Sequence, residues 1–247
     1  MRTLWMGVAL VAVTLWWGPQ VLAAALLKRK PGGWYVDVSR KWARSILRAS
    51  GCPVVAHGRE HVRPGEPLVV AANHVSWFDI FAIAASLEVP FHFVAKKELE
   101  KIPLFGPAWQ AAGHISIDRS HREAAIRSLR AAGEKIRRDR SVVVIYPEGT
   151  RSRTGRLLPF KKGAFMLAVE AQVPVVPTVV TGAYEIMPPG AWRIRPNTMH
   201  VHFLPPIVPP PTVEGVETLM AQVRAEMLTV LEGEEMPPDP DDLTRAI

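Results

Sequence analysis

The chain has 247 residues, 48% of them apolar and 21% charged, which excludes a disordered or collagen-like molecule and fits one large domain with an appendage. The single cysteine, Cys52, excludes an internal disulfide framework and a cysteine-rich zinc site. The net charge of +7 is uneven: residues 1–231 hold 29 bases and 17 acids, so the body favours an anionic partner, whether nucleic acid, a membrane surface or a phosphorylated substrate.

From Thr3 to Leu27 there is no charged residue. As helix the run spans about 37 Å, enough for a hydrocarbon core of about 30 Å. Trp5, Trp16 and Trp17 suit a membrane–water boundary, and Lys28, Arg29 and Lys30 come directly after the run. That basic excess orients the rest of the chain toward the cytoplasm, at the inner membrane. Gly18-Pro19 is expected to break the run into two interfacial pieces if it does not span. Ala23-Ala24-Ala25 also resembles a signal-cleavage site, so anchor and cleaved signal both stay open.

Gly32-Gly33 is a hinge, and Trp34–Ser50 then has helical period. Arg40, Lys41, Arg44 and Arg48 form a basic stripe beside Trp42, which fits either a helix lying on anionic lipid or one docked on the domain. Strands are expected at Pro67–Ala72, Phe91–Ala95, Ser141–Tyr146, Pro174–Val180 and Met199–Leu204. Helices are expected at Trp77–Leu87, near Pro107–Ala112, and at His121–Asp139, Lys161–Ala171 and Glu214–Leu231. The alternation implies an α/β fold: a mixed, largely parallel central sheet with helices on both faces, after an N-terminal membrane-associated segment. The runs near Val69 and Val143 lack alternation, as strands buried on both faces do. The chain divides into three parts: residues 1–50 as anchoring helices, 51–231 as the α/β domain, and 232–247 as an acidic disordered tail.

In such sheets chemistry gathers beyond the C-terminal ends of strands. One exit loop reads Asn73-His74-Val75-Ser76-Trp77-Phe78-Asp79. With His74 in the loop and Asp79 in the first turn of the helix, the carboxylate can hold one ring nitrogen and leave the other as a base. Ser76-x-x-Asp79 equally resembles a capping box, which would make Asp79 structural. A second loop ends Ile117-Asp118-Arg119, and a third reads Pro147-Glu148-Gly149-Thr150-Arg151-Ser152 after Tyr146. Arginines here suit bidentate phosphate recognition, although a lone arginine after a strand more often makes a surface ion pair. Lys96 and Lys97 leave another strand and add positive charge. No spacing calls for a metal; His200-x-His202 reads as decoration on an edge strand.

These blocks resemble the glycerolipid acyltransferases of the lysophosphatidate (1-acylglycerol-3-phosphate) type. That family carries Asn-His-x-Ser-x-x-Asp, met by Asn73, His74, Ser76 and Asp79. It also carries Phe-Ile-Asp-Arg, met by Ile117, Asp118 and Arg119, and Phe-Pro-Glu-Gly-Thr-Arg-Ser, met by Pro147 to Ser152. A Val-Pro-Ile-Val-Pro-like strand is met by Val173–Pro177, and the likeness covers roughly Pro67 to Pro206. Tyr146 and Ser116 stand where the family usually has Phe, which bears on acyl-chain preference rather than on the reaction.

The resemblance implies a 1-acylglycerol-3-phosphate O-acyltransferase. An acyl group would pass from acyl-CoA or acyl carrier protein, as co-substrate, to the sn-2 hydroxyl of lysophosphatidic acid. It implies His74 as general base supported by Asp79, and no covalent acyl-enzyme, cofactor or metal. It further implies a phosphate and glycerol site of Arg119, Glu148, Gly149, Thr150, Arg151 and Lys96. Asn73, Ser76, Pro147 and Ser152 would shape the loops. The expected partners are a lysophospholipid, the acyl donor and membrane lipids, and no nucleic acid. The same chemistry on a lyso-ornithine lipid, another lysophospholipid or glycerol 3-phosphate is the alternative. A non-catalytic basic membrane-binding protein is the remote one.

Overall fold

The computed structural model describes residues 2–26, 33–103, 105–118 and 122–233. Lys28, Arg29, Lys30, Arg119 and the acidic residues beyond 233 lie outside the described residues. Helix α1, Arg2–Leu26, runs unbroken with Pro19 inside it, so the expected break at Gly18-Pro19 does not occur. Packing offsets the lost backbone hydrogen bond: Val21 and Ala24 are buried against Tyr35 and Val38, with Trp17 beside them. Over Gly7–Ala24 the helix is long and apolar enough to cross a bilayer, and Trp5, Val8, Val11, Leu15 and Trp16 are exposed.

Helix α2, Gly33–Ser50, joins α1 through the Trp42 indole N–H, which donates to Thr14 Oγ1 at 3.1 Å. Its Ala43, Ile46 and Leu47 enter the same core as the sheet, so residue 50 is no packing boundary. Part of its basic stripe faces the protein. Arg40 Nε donates to Leu87 O at 2.8 Å, and Arg44 reaches Ala85 O, at the end of α3, Phe78–Ser86. Carbonyls at a helix C-terminus lack intrahelical partners, and guanidinium groups satisfy them. For these two arginines the docked reading holds.

The sheet has seven strands: β1 Val54–His57, β2 Leu68–Ala72, β3 Phe91–Lys96, β4 Ile115–Ile117, β5 Val142–Ile145, β6 Val175–Thr181 and β7 Met199–Phe203. Their spatial order is β1-β7-β6-β2-β5-β3-β4. β6, β2, β5, β3 and β4 run parallel; β7 is antiparallel to β6 and parallel to β1. The fold is therefore the mixed, largely parallel α/β sheet expected. Strand β1 was not expected; four residues give too short a pattern, and pairing with β7 forms it.

Leu68, Val70 and Ala72 of β2 face one core with α2 and α3, while Val69 and Ala71 face a second. That second core holds residues of α5 (Arg122–Asp139), α6 (Gly163–Ala171) and α8 (Val216–Gly233). Helix α4, Phe105–Ala111, packs its Ala108 and Ala111 beside α1, and α7, Ala183–Ile186, comes after β6. Central strands buried on both faces cannot alternate, hence their uniform apolar runs. Ala71 of β2 is level with Ile145 of β5, so both strands end at one rim and their exit loops are neighbours.

Candidate active site

The rim is assembled by backbone hydrogen bonds between the two exit loops. Buried Asn73 clamps β2 to β6: its Nδ2 donates to Val180 O at 3.0 Å, and its Oδ1 accepts the Val180 N–H at 2.7 Å. The next residue, His74, accepts the Ser152 N–H on its carbonyl at 2.7 Å and donates its own N–H to Glu148 Oε1 at 2.6 Å. Its ring stacks on Tyr146, with centroids 4.0 Å apart and planes within 19°.

His74 Nδ1 and Asp79 Oδ2 are 2.9 Å apart. The same oxygen accepts the N–H groups of Val75 at 2.7 Å and Ser76 at 2.8 Å. An oxygen already serving as acceptor for two donors takes a third, so Nδ1 donates to Asp79 and Nε2 is the nitrogen left clear of the carboxylate. Among the described residues Nε2 takes no hydrogen-bond partner, and the side chain keeps 14% of its surface exposed. Asp79 is fully buried at the first turn of α3, where a helix N-terminus favours negative charge.

The capping reading and the orienting reading therefore describe one carboxylate. Asp79 Oδ2 accepts the Ser76 N–H, the reach-back half of a capping box, while Ser76 Oγ accepts the Phe78 N–H at 3.2 Å in place of the Asp79 N–H; α3 itself starts after Trp77, which makes no side-chain cap. Ser76 Oγ also donates to Met187 O at 2.8 Å, so the hydroxyl is engaged in holding the loop.

Glu148 was expected at the glycerol moiety. It is buried instead, and both oxygens are taken by backbone: His74 N–H on Oε1 and Leu158 N–H on Oε2 at 2.9 Å. Burial pushes its carboxyl up to about 7, against the pull of those two donors and of Arg224; the Asp79 charge adds to the rise. Pro147 is buried, its carbonyl accepting the Lys161 N–H at 2.8 Å. Gly149 has φ +72, so the turn favours glycine for its backbone; a Cβ there would meet only the exposed Lys161 side chain, at 3.0–3.1 Å. Ser152 is buried, Thr150 exposed.

The Arg151 guanidinium stands 4.6 Å from the centroid of the Trp77 ring, which joins the first loop to the third. Lys96 is exposed at the end of β3. Arg119 lies outside the described residues; beside it, Asp118 Oδ2 is 3.4 Å from Lys97 Nζ. Ser116 Oγ accepts the Trp109 indole N–H at 3.1 Å.

Sequence reasoning missed Leu158, Met187 and Arg224. Arg224 of α8 donates to the carbonyls of Leu158 at 2.8 Å and Leu157 at 3.2 Å, bracing the segment that binds Glu148. These contacts bridge distant parts of the chain through main-chain atoms, so no residue type or spacing advertises them.

The family model described as acyltransferase matches residues 53–181. A 1-acyl-sn-glycerol-3-phosphate acyltransferase of Limnanthes douglasii is 40% identical over 162 residues, 66% of this chain and 57% of that protein. The alpha enzyme of that name from Homo sapiens is 36% identical over 181 residues, 73% of this chain and 64% of that protein. The chain thus spans less than two thirds of the length of these curated relatives. The crystal structure of the 1-acyl-sn-glycerophosphate (LPA) acyltransferase PlsC from Thermotoga maritima superposes with a TM-score of 0.79 at 26% identity, covering 96% of this chain and 97% of that one. With its family model matched over more than half its length, around the rim that holds His74 and Asp79, the chain belongs to the acyltransferase family.

Proposed function

We propose that this chain transfers a fatty acyl group from an acyl thioester, acyl-CoA or acyl carrier protein, to the sn-2 hydroxyl of lysophosphatidic acid, giving phosphatidic acid. The observation that carries the reading is the His74–Asp79 pair with Nε2 left at the rim. The named activity of the relatives from Limnanthes, human and Thermotoga supports the substrate.

In this reading His74 Nε2 takes the proton of the acceptor hydroxyl as its oxygen attacks the thioester carbonyl. The carbon–sulfur bond then breaks, and the leaving thiolate takes the proton back from the imidazolium. Asp79 holds the ring and balances its transient charge. Glu148 acts as a positioning residue, since it fastens His74 to the third loop. Arg151, Arg119, Thr150 and Lys96 hold the phosphate, with Arg151 aimed by Trp77. No cofactor or metal enters these steps. The exposed apolar face of α1 anchors the enzyme in the cytoplasmic membrane, with the rim on the cytoplasmic side. Lipid acceptor and lipid product then need not leave the surface.

The test is mass-spectrometric product analysis with the full chain in detergent, offering lysophosphatidate, other lysolipids and glycerol 3-phosphate with both donors. Phosphatidate from lysophosphatidate is expected, with His74→Ala slower by about 10²–10⁴. Retained turnover within a few-fold of the parent enzyme rejects the base assignment. Faster turnover of another acceptor rejects the substrate.

A further inference from the structure

At the other edge of the sheet three imidazoles meet. Along β7, Met199, Val201 and Phe203 face the core shared with α3, so His200 and His202 project from the opposite face. The parallel register sets His57, the last residue of β1, opposite His202. His57 stacks on both partners, with centroids 4.5 Å from His202 and 5.4 Å from His200 and planes within 14°. His57 Nε2 and His200 Nδ1 are 3.1 Å apart, and one nitrogen from each ring lies within 4.8 Å of the other two. His57 is exposed and the other two half-buried. Asp79 and His74 belong to the α3 side, so this cluster is no part of the candidate active site.

Neutral imidazoles are ligands of zinc and its borderline neighbours nickel and copper, whereas magnesium and calcium prefer oxygen. A tetrahedral zinc ion, with bonds of about 2.0–2.1 Å, places its nitrogen ligands about 3.3 Å apart. The closest pair is already near that spacing, and the near-parallel rings turn about their side-chain bonds to aim one nitrogen each at a single ion. Three protein ligands leave the fourth position to solvent. The third ligand comes from a strand 143 residues away from His200, which is why the His-x-His spacing alone read as decoration.

We propose that His57, His200 and His202 form a binding site for a zinc-type divalent cation, which clasps edge strand β1 to β7. The test uses untagged full chain, stripped with chelator and dialysed against zinc alone, with bound metal counted by mass spectrometry. One zinc per chain is expected, with His57→Asn and His200→Asn each weakening binding about tenfold or more. Acyl transfer should stay within twofold in both variants. Binding well below one equivalent, or unchanged in the variants, overturns the proposal. If a variant loses its circular dichroism, the cobalt(II) spectrum of the parent protein decides. Intense tetrahedral visible bands support the site, and weak octahedral ones reject it.

Discussion

Two of the histidine sites beside the parallel strands, at His74 and at His92 with His114, are opposites. At the exit of β2, His74 keeps a carboxylate on one nitrogen and an exposed edge at the other. Around β3 and β4, His92 and His114 have no carboxylate hydrogen-bonded to their rings among the described residues. Burial, with Lys135 nearby, lowers His92 to about 4. His114 keeps some exposed surface, but Nδ1 accepts the Phe93 N–H at 3.1 Å, and desolvation with His92 and Lys135 lowers it to about 3. Residue type is the same; the partner differs, and at His92 so does the exposure. A ring poised for proton transfer is built by adding a buried acceptor and leaving one edge open. A ring committed to structure is built by withholding the carboxylate and desolvating the ring.

The sharpest way to break this contrast is Asp79→Asn. An amide in that place presents a donor where acceptors are needed. Turnover should fall at least about 10²-fold. Stability should also fall by roughly 1–3 kcal/mol, because the buried Val75 and Ser76 N–H groups lose an ionised partner. Steady-state kinetics and thermal unfolding check the two effects together; His74→Ala should show the first with little of the second.

Acidification should expose the other site. His92 and His114 titrate below their unfolded value of 6.5, so their stabilisation is complete above pH 6.5 and is lost as pH falls toward 4. For His92 alone the loss is roughly 3 kcal/mol. Melting temperature measured from pH 7 to pH 4 should decline, and His92→Gln should flatten the curve.

Glu148 has the reverse sign. Its folded value of about 7 exceeds the unfolded 4.5, so the ionised form is disfavoured on folding. Its contribution is most favourable below pH 4.5 and is lost as pH rises through 7. Glu148→Gln should remove that slope. It should also cost about 1–2 kcal/mol, because the amide NH₂ then faces one of two backbone donors. A lower kcat with little change in KM is expected, since the residue positions His74 and does not touch substrate.

The smallest effect belongs to Tyr146→Phe. The ring carries the stacking contact with His74, whereas its hydroxyl is enclosed without a hydrogen-bond partner among the described residues. Burial and the Asp79 charge hold that phenol well above its ordinary value, so it stays protonated. Deleting an unpaired buried hydroxyl should change stability by less than about 1 kcal/mol and turnover by less than about threefold. A larger loss in either assay would make the hydroxyl a participant.

Sequence alone determined the alternation of strands and helices, the double burial of β2 and β5, and the uncharged N-terminal run. Each of these is a property of consecutive residues, and periodicity or its absence reports it. The Asn73–Asp79 and Pro147–Ser152 blocks were legible because their spacing is local and their polar residues interrupt apolar strands. Tertiary structure alone decided that α1 passes through Pro19, that Arg40 and Arg44 turn inward to the end of α3, and that Glu148 faces backbone. It also made one carboxylate both cap and partner, and brought His57 to His200 and His202. All of these depend on which atoms meet across the chain. Burial then sets the cost of leaving a donor or acceptor unpaired, and that quantity is not carried by any residue's neighbours in sequence.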